Sequence, residues 1–377
     1  MNAPNTDTSR LLGRSALLTT DLDDGELAAV LQLAERFARL DRAGVRTPLL
    51  PCELAYAVFF DNSTRTKSAW AGAASRLGMR PVIVDGSSTQ VAHGETAAET
   101  GAMLGMNAHA MGIRHDLILG EGNPFMRELE RGIRQYLEHS GETRKVPVVN
   151  LQCDVDHPTQ AMADALWLRE RYPQGLKGLK VAVSWAYSPS YAKPLSVPQG
   201  LAMLLPRLGC DVRLAHPPGY QLMPECLDAA RSGAAGAGGS FEVVDDMDAA
   251  FDGADVVYPK SWGPWDLMME RVTANKEGDS DAMERIEQAC LQRNTDHRGW
   301  ICDERRMALT AGGDALYMHC LPADIGDEVS PGVMERHRFN VASEANKKVY
   351  VIMALLAGAK VPDLDARLDA LMNAAKE

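Results

Sequence analysis

Short apolar segments alternate along the chain with longer segments in which apolar side chains recur every three to four residues. In the first half of the chain, the apolar segments are residues 57–60, 81–84, 110–114 and 146–152. The segments with helical spacing are a first helix from Asp23, followed by residues 64–78, 95–107 and 124–138. Strands that alternate with helices in this way predict a parallel sheet with helices on both faces.

A second series of strands and helices begins at His157. Its predicted strands are residues 180–185, 211–215, 241–244, 256–258 and 316–319. Its predicted helices are residues 157–171, 198–208, 224–233 and 247–252, with a final helix at 343–358. We therefore predict an α/β fold of two doubly wound parallel-sheet domains, the first over residues 1–154 and the second over residues 155–342.

Three segments depart from this alternation. Residues 1–20 are polar, and we expect them to be at best partly ordered. Residues 232–240 (SGAAGAGGS) are rich in glycine and predict a flexible loop. Residues 264–314 are polar and partly helical, which is consistent with an insertion over the substrate side.

The composition narrows the class of partner. The chain has 377 residues, enough for two domains, and its net charge of −12 argues against nucleic acids or an anionic membrane as partners. The seven cysteines are scattered and lack CxxC spacing, which indicates reduced thiols rather than a disulfide framework. Without an apolar leader or a long apolar run, we expect a cytoplasmic protein.

The sequence does not predict a metal site. Neither the pair Cys153 and His157 nor the pair His319 and Cys320 is accompanied by a second spaced pair, so we predict neither a metal nor a cofactor.

One segment between a predicted strand and a helix is suited to binding an anion. The hydroxyls of Ser63, Thr64 and Thr66 and the guanidinium of Arg65 stand at a helix start. The free backbone N–H groups and the helix dipole favour negative charge there. No glycines of a Walker A loop are present, so a phosphate would bind at the helix end itself. The alternative, commoner for such a segment alone, is an ordinary helix start with Ser63 as its N-cap.

Three motifs in this order and at these separations resemble a known family. They are residues 63–66 (Ser-Thr-Arg-Thr), 157–160 (His-Pro-Thr-Gln) and 319–322 (His-Cys-Leu-Pro). Together they resemble the aspartate/ornithine transcarbamylase superfamily over nearly the whole chain. Residues 91–96, 149–154, 184–189 and 258–262 add a resemblance to its knotted branch and, within it, to the YgeW-like group.

The resemblance implies a reaction and its site residues. Members transfer the carbamoyl group of carbamoyl phosphate to an amine, which yields a ureido product and phosphate. The first domain would bind carbamoyl phosphate and the second an amino-acid-like acceptor, with the C-terminal segment 343–377 joined to the first domain. By resemblance, the implied carbamoyl phosphate ligands are Ser63, Thr64, Arg65, Thr66, Arg114, His157, Gln160, Cys320, Leu321 and Lys348.

Among these residues, Arg114, His157 and Cys320 would be catalytic. Arg114 would reach phosphate and carbonyl oxygen, or else pair as an ordinary strand-end arginine with Asp116. His157 would be neutral at its helix N-terminus and would donate to the carbonyl oxygen. The carbonyls of Cys320 and Leu321 would hold the carbamoyl NH2. A covalent thiol mechanism lacks a general base beyond His319, so we expect no covalent enzyme intermediate.

The resemblance also implies an assembly and a knot. Gln90, His93 and Glu95 would reach into the active site of a neighbouring subunit, which implies a homotrimer with shared sites; the alternative is an ordinary surface loop that caps the next helix. The proline-rich residues 184–198 resemble the loop through which a later segment threads in knotted relatives, so we expect a trefoil knot in the second domain.

The chain departs from the family pattern at two places, one implied to bind the acceptor and the other implied to bind carbamoyl phosphate. Ornithine enzymes have an aspartate and a Ser-Met-Gly turn where this chain has Lys260, Ser261 and Trp262, which argues against ornithine. Lys260 would suit a substrate carboxylate or an acylated amine, and Trp262 would either form an apolar wall or simply pack. Lys348 replaces a family arginine, and a lysine cannot form the planar guanidinium fork.

Two other functions remain to be compared with a carbamoyltransferase. A non-catalytic member of the same fold could bind carbamoyl phosphate or another metabolite as a regulator. A nicotinamide dehydrogenase would need G-x-G-x-x-G after a strand, and neither residues 58–60 nor 181–185 are followed by it, so this class is rejected.

Overall fold

Nine strands form two parallel sheets in the computed structural model, which describes residues 7–374. They are β1 (Leu54–Phe59), β2 (Arg80–Asp85), β3 (Ala110–His115), β4 (Val148–Cys153), β5 (Lys180–Trp185), β6 (Asp211–Ala215), β7 (Ser240–Val244), β8 (Val256–Lys260) and β9 (Leu316–Tyr317). The first sheet has the order β2-β1-β3-β4 and the second β7-β6-β5-β8-β9. Each pairing in both sheets is parallel, which confirms the predicted fold class.

Helices cover the faces of both sheets. They are α1 (Asp24–Arg42), α2 (Arg65–Arg76), α3 (Ala97–Gly105), α4 (Gly122–His139), α5 (Pro158–Arg171), α6 (Ser196–Leu204), α7 (Pro224–Ala237), α8 (Met247–Phe251), α9 (Trp265–Glu277), α10 (Ser280–Asn294), α11 (Glu304–Met307), α12 (Pro331–Lys360) and α13 (Leu364–Ala374). None of them, within residues 7–374, is long and apolar enough to cross a membrane.

The burial of the strands and the capping of the helices explain the alternation that the apolar pattern predicted. Four of the six residues of β3 and all six of β4 are buried, as expected of strands covered on both faces. The capping boxes Asp23–Glu26 and Thr96–Glu99 begin α1 and α3, because each side chain accepts from a backbone N–H that has no partner inside the helix.

Helix α12 connects the two halves of the molecule. Val333 and Val341 belong to the apolar cluster that covers β8 and β9, whereas Ile352 and Leu356 belong to the cluster beneath α1 and α2. The sequence predicted only residues 343–358 of this helix. It starts twelve residues earlier, at Pro331, with Ser330 as its N-cap.

Part of residues 1–20 is ordered, and the flexible loop expected at residues 232–240 is wrong. Within residues 7–20, a short 3-10 helix (Thr8–Leu11) forms and Ala16 pairs with Val149 of β4; residues 1–6 lie outside the described residues. Residues 232–240 do not form a loop, because α7 continues to Ala237 and β7 begins at Ser240. Alanines at 234, 235 and 237 extend the helix through the glycines, and Gly238 then ends it in a left-handed conformation.

Candidate active site

The carboxyl ends of the strands of both sheets face one cavity of about 510 Å³. Residues at or after the carboxyl ends of β1, β3, β4, β5, β8 and β9 contribute to its wall, as the topology of parallel sheets requires. Eleven residues predicted from the sequence line it: Ser63, Thr64, Arg65, Thr66, Arg114, His157, Gln160, Lys260, Cys320, Leu321 and Lys348. Seven others were missed: Asp61, Asn62, Gln152, Tyr191, Pro194, Val197 and Pro322.

Residues 63–66, at the start of α2, have features of both an ordinary capped helix start and an anion-binding site. Ser63 Oγ accepts a hydrogen bond from Thr66 N at 3.2 Å, so Ser63 does satisfy an N–H group at the helix start. The helix begins at Arg65 with no acidic residue in its first turn, and its N-terminal end opens into the cavity. A capped helix start and an anion site are therefore compatible here.

Arg65 links the two sheets across the cavity. Its Nε donates to Cys320 O at 3.1 Å, and a terminal guanidinium nitrogen donates to Leu321 O. Leu321 has a left-handed backbone, the bond between Leu321 and Pro322 is cis, and the carbonyls of Cys320 and Leu321 both face Arg65. These are the two carbonyls that the resemblance assigns to the carbamoyl NH2; in this structure they accept from Arg65.

Arg114 is held by two carboxylates at the end of β3. Its Nε lies 3.0 Å from Asp116 Oδ1, and one terminal nitrogen lies 3.1 Å from Asp116 Oδ2 and 3.2 Å from Asp61 Oδ2. The pairing with Asp116 therefore exists, and Arg114 lines the cavity as well. The bidentate contact fixes the direction of the guanidinium.

His157 is the residue immediately before α5 and is 3 % exposed. Its Nδ1 lies 3.3 Å from Thr159 Oγ1 and its Nε2 lies 3.3 Å from Lys348 Nζ. Burial, followed by the charges of Lys348, Arg114 and Arg65, holds the pKa of His157 well below its usual value. The imidazole is neutral, and burial among cations is the main reason.

Lys348 projects from α12 into the cavity and is 3 % exposed. Its Nζ contacts Thr66 Oγ1 at 3.2 Å in addition to His157 Nε2. Burial lowers the pKa of Lys348 to about 7, against partial compensation by Cys320 and Asp164. The amine is thus close to half neutral at neutral pH.

A buried chain of polar side chains continues behind His157. Gln160 Nε2 donates to Asp164 Oδ1 at 2.6 Å, and Tyr258 Oη donates to Asp164 Oδ2 at 3.2 Å. Burial raises the pKa of Asp164 to about 7, and burial together with Asp164 raises that of Glu344 well above its usual value. Asp164 and Glu344 share one proton. Because both Asp164 oxygens already accept hydrogen bonds, that proton resides on the carboxyl group of Glu344. Asp164 then orients Gln160 toward the cavity.

The predicted acceptor residues are placed differently from one another. Lys260 lines the cavity, and its Nζ donates to Ser261 O at 3.0 Å. Ser261 is fully buried, and its N–H donates to Glu328 Oε1 at 2.8 Å. Trp262 is fully buried, donates to Tyr220 O at 2.7 Å and does not line the cavity. The expected apolar wall is wrong for Trp262; its ring packs in the core of the second sheet.

Gln90, His93 and Glu95 lie outside the cavity of their own chain. Gln90 and His93 are exposed, and His93 Nδ1 lies 3.2 Å from Gln90 Oε1. Glu95 Oε1 accepts from Thr100 Oγ1 at 2.6 Å, beside the capping box that starts α3. In its own chain, this loop therefore contributes no side chain to the cavity.

A buried ionic cluster beside the cavity was not found from the sequence. Lys193 Nζ lies 2.8 Å from both Asp324 Oδ2 and Glu328 Oε2, and Lys260 Nζ lies 4.0 Å from Glu328 Oε1. His319 Nε2 lies 3.7 Å from Glu328 Oε2. Lys193 comes from the proline-rich loop that leaves the carboxyl end of β5, and no motif or spacing in the sequence singled it out. Among residues 7–374, no group of three or more metal-ligating side chains comes together.

Comparisons with known proteins agree with this geometry. Residues 14–170 match the family model "Aspartate/ornithine carbamoyltransferase, carbamoyl-P binding domain", and residues 195–358 match "Aspartate/ornithine carbamoyltransferase, Asp/Orn binding domain". The chain therefore belongs to the aspartate/ornithine carbamoyltransferase family, and its class is carbamoyltransferase.

Particular relatives refine the comparison. "Putative carbamoyltransferase YgeW" of Escherichia coli strain K12 is 43% identical over 99% of this chain and 96% of its own length. The ornithine carbamoyltransferase of Ignicoccus hospitalis is 31% identical over 92% of this chain and 98% of its own. A solved structure of acetylornithine transcarbamylase complexed with acetylcitrulline has a TM-score of 0.75 at 26% identity, over 93% of this chain and all of its own. The predicted recognition of family and group is confirmed.

Proposed function

We propose that this protein transfers the carbamoyl group of carbamoyl phosphate to the amine of an amino-acid-like acceptor, with release of phosphate. The observation that carries the proposal is the convergence of Arg65, Arg114 and Lys348 with the N-terminal end of α2 on one cavity. A small dianion requires several donors and cations at once. In a chain of net charge −12, the guanidiniums of Arg65 and Arg114 and the dipole of α2 oppose the unfavourable overall field, and Lys348 adds a further donor.

The phosphate group binds at the start of α2 in this proposal. Ser63, Thr64 and Thr66 donate through hydroxyls and backbone N–H groups, and Arg65 supplies a bidentate guanidinium. Arg65 must leave the carbonyls of Cys320 and Leu321 to do so, and that movement frees both carbonyls for the carbamoyl NH2. Anion binding and exposure of the carbamoyl site are thereby coupled.

The carbonyl oxygen is polarised by Arg114 and His157, while Gln160 binds the carbamoyl amide. The attacking amine adds to the carbamoyl carbon, the bond to the phosphate oxygen breaks, and the proton of the amine leaves with the phosphate. No covalent enzyme intermediate is needed. Cys320 has no adjacent base, because His319 Nδ1 accepts from Leu321 N at 2.9 Å and its Nε2 faces Glu328.

The acceptor is unlike ornithine at its α-amino group. A free α-ammonium group on the acceptor would face the amine of Lys260, which lines the cavity. An acceptor with a carboxylate or an acylated amine at that position fits better. A solved structural neighbour is described in complex with acetylcitrulline, an N-acetylated ureido product, which supports an acylated acceptor for this chain as well.

We also propose a cytoplasmic homotrimer in which Gln90, His93 and Glu95 complete the site of a neighbouring subunit. Gln90 and His93 are exposed, and none of the three residues lines the cavity of its own chain, which supports this role. The loop of residues 184–198 is tied to residues 324–328 through Lys193, which is consistent with a knot formed around it.

The test is formation of ureido product from carbamoyl phosphate and a panel of amines. The panel contains ornithine, N-acylated ornithines, aspartate, diaminopropionate and ureido acids. We expect turnover with one acceptor that is not ornithine, and its loss in Arg65→Ala. Arg131 is an exposed arginine on α4 that pairs with Glu128, and Arg131→Ala is the matched control that should keep full activity.

The outcomes separate the alternatives. Arg65-dependent binding of carbamoyl phosphate without turnover on any amine would favour the non-catalytic regulator. Absence of any binding would exclude the carbamoyl phosphate site. Turnover with ornithine at the highest rate would contradict the interpretation of Lys260.

A further inference from the structure

The amine of Lys348 is buried without a counter-ion. Its Nζ contacts the hydroxyl of Thr66 and the imidazole of His157, and no carboxylate in residues 7–374 lies within ion-pair distance of it. Burial of an unpaired ammonium costs several kcal/mol, and proteins avoid that cost by leaving the amine neutral. The contacts of Lys348 therefore favour a neutral amine.

The surrounding charges act in the same direction. Arg65 on α2 and Arg114 on β3 are cations that face Lys348. Cys320 after β9 and Asp164 on α5 oppose them, but the carboxylate of Asp164 already accepts from Gln160 and Tyr258. Glu344, one turn earlier on α12, shares its proton with Asp164 and adds no full negative charge. Asp61 and Asp116 pair with Arg114 and balance its charge, so within residues 7–374 Lys348 faces Arg65 and Arg114 with no ion-pair partner of its own.

The contact with His157 agrees with a neutral Lys348. For His157 to donate from Nε2 to a carbonyl oxygen, Nε2 must carry the proton of the neutral imidazole. At 3.3 Å from Nζ, that N–H then points at Lys348 and needs a lone pair on the amine. Only a neutral lysine has one.

We propose that Lys348 takes up a proton from solvent when carbamoyl phosphate binds, so that its positive charge is created by the ligand. This inference rests on the proposed function. The phosphate dianion at the start of α2 supplies the missing counter-charge beside Thr66. Lys348-NH2 becomes Lys348-NH3+, turns its N–H groups to the phosphate and releases the Nε2–H of His157 for the carbonyl oxygen. An arginine at this position is always charged and cannot couple binding to a proton.

Proton linkage gives the binding a defined pH dependence. Burial sets the pKa of free Lys348 at about 7, and a bound dianion raises it. Above that value, the affinity for the ligand falls as pH rises, because each binding event requires a proton. The dissociation constant is expected to rise up to about tenfold per pH unit between pH 7 and the pKa of the complex.

The experiment is calorimetric titration of the full chain with the hydrolysis-stable phosphonate analogue of carbamoyl phosphate. It is run near pH 8.5, where the phosphonate is already a dianion, in phosphate-free buffers of different ionisation enthalpy. The dependence of the measured heat on the buffer gives the protons taken up per ligand bound. We expect close to one proton for the wild type.

Lys348→Arg is the matched variant, since it keeps a cation that cannot titrate. It should bind the analogue with no proton uptake from this position and with little pH dependence from pH 7 to 9. Binding by the wild type without uptake, or equal uptake in both proteins, would overturn the inference and leave the proposed function intact. Failure of both proteins to bind would instead contradict the proposed function. If Lys348→Arg does not fold, the number of protons that the wild type takes up per ligand still decides whether binding is coupled to protonation.

Discussion

His157 has two ring contacts, one with Thr159 that orients it and one with Lys348 that can be replaced by a substrate oxygen. Its neutral form suits a donor that must not carry charge before the reaction, because a buried imidazolium beside Arg65, Arg114 and Lys348 would be costly. The side chain is therefore positioned by α5 and kept neutral by the residues around it.

We expect His157→Ala to lower kcat/KM by a factor of about 100 to 1000, equivalent to about 2.7–4 kcal/mol, because one donor to the developing oxyanion is lost. Steady-state kinetics with the identified acceptor would measure it. Thr159→Ala removes only the orienting contact and should have a smaller effect. A change in KM with kcat preserved would show that His157 binds the substrate without polarising it.

Glu328 holds the loop that follows Cys320. Its carboxylate accepts from Ser261 N and from Asp324 N, each at 2.8 Å, and pairs with Lys193. Although burial alone would raise the pKa of Glu328, Lys260, His319 and Lys193 hold it well below its usual value. Removal of this charge would leave Lys193 buried without its main partner.

Glu328→Gln is expected to lower the free energy of unfolding at pH 7 by about 3–5 kcal/mol. Because the pKa in the folded state is depressed, the stabilisation is complete above the usual glutamate pKa of about 4.3 and is lost as pH falls below it. The difference between wild type and variant should therefore shrink below about pH 4. Urea unfolding at several pH values tests this, with the exposed Glu335→Gln as control. A pH-independent difference would assign the effect to packing.

Among the elements, α3 and α4 pack closely enough to require glycine. A Cβ on Gly132 would lie 2.1 Å from Ala98 O, and one on Gly101 would lie 2.2 Å from Leu129 O. Gly236 in α7 is the opposite case, since a Cβ there would meet nothing within 4 Å. The same residue type thus serves helix packing in one place and has no packing role in the other.

We expect Gly132→Ala to destabilise the protein by about 1–3 kcal/mol through forced separation of α3 and α4. Gly236→Ala should instead stabilise it by about 0.4–1 kcal/mol, because α7 is helical there and alanine restricts the unfolded chain. Thermal unfolding of both variants is the measurement. No stabilisation in Gly236→Ala would argue that residues 232–237 are not a helix in solution.

For the whole molecule, the decisive question is whether each active site contains residues from two neighbouring chains. In the proposed trimer, Arg65→Ala damages the site of its own chain and His93→Ala damages the site of a neighbour. Co-expressed in equal amounts, random trimers of the two inactive variants would contain intact sites at about a quarter of positions. We expect about a quarter of wild-type activity to return.

The readout is the activity of isolated hybrid trimers, purified through a different tag on each variant. Each hybrid contains one intact site out of three, so the purified hybrids should have about a third of wild-type activity, against about a quarter for the unfractionated mixture. If mixing restores nothing although hybrids form, the loop at 90–95 does not complete a neighbouring site. If His93→Ala is fully active alone, His93 has no role in the site. Mixing Arg65→Ala with Arg114→Ala, both in the same chain's cavity, should restore nothing and serves as the control.

The sequence by itself determined the order of strands and helices and the strand ends from which polar groups emerge. Period-two and helical patterns are local, and buried parallel strands are strongly apolar, so β5 and β6 were predicted with their observed bounds. The rule that ligands bind at the carboxyl ends of strands then brought residues 63–66, Arg114, His157 and Cys320 to one place. Those predictions needed no knowledge of side-chain contacts.

Only the tertiary structure decided which polar residues face the cavity and what charge they carry. Trp262 and Lys260 are two residues apart, yet one packs in the core and the other lines the site, because the chain turns after β8. The neutral state of His157, the lowered pKa of Lys348 and the pairing of Lys193 with Glu328 depend on burial and on residues far away in the chain. Electrostatic environment is a property of three-dimensional proximity, and no local pattern encodes it.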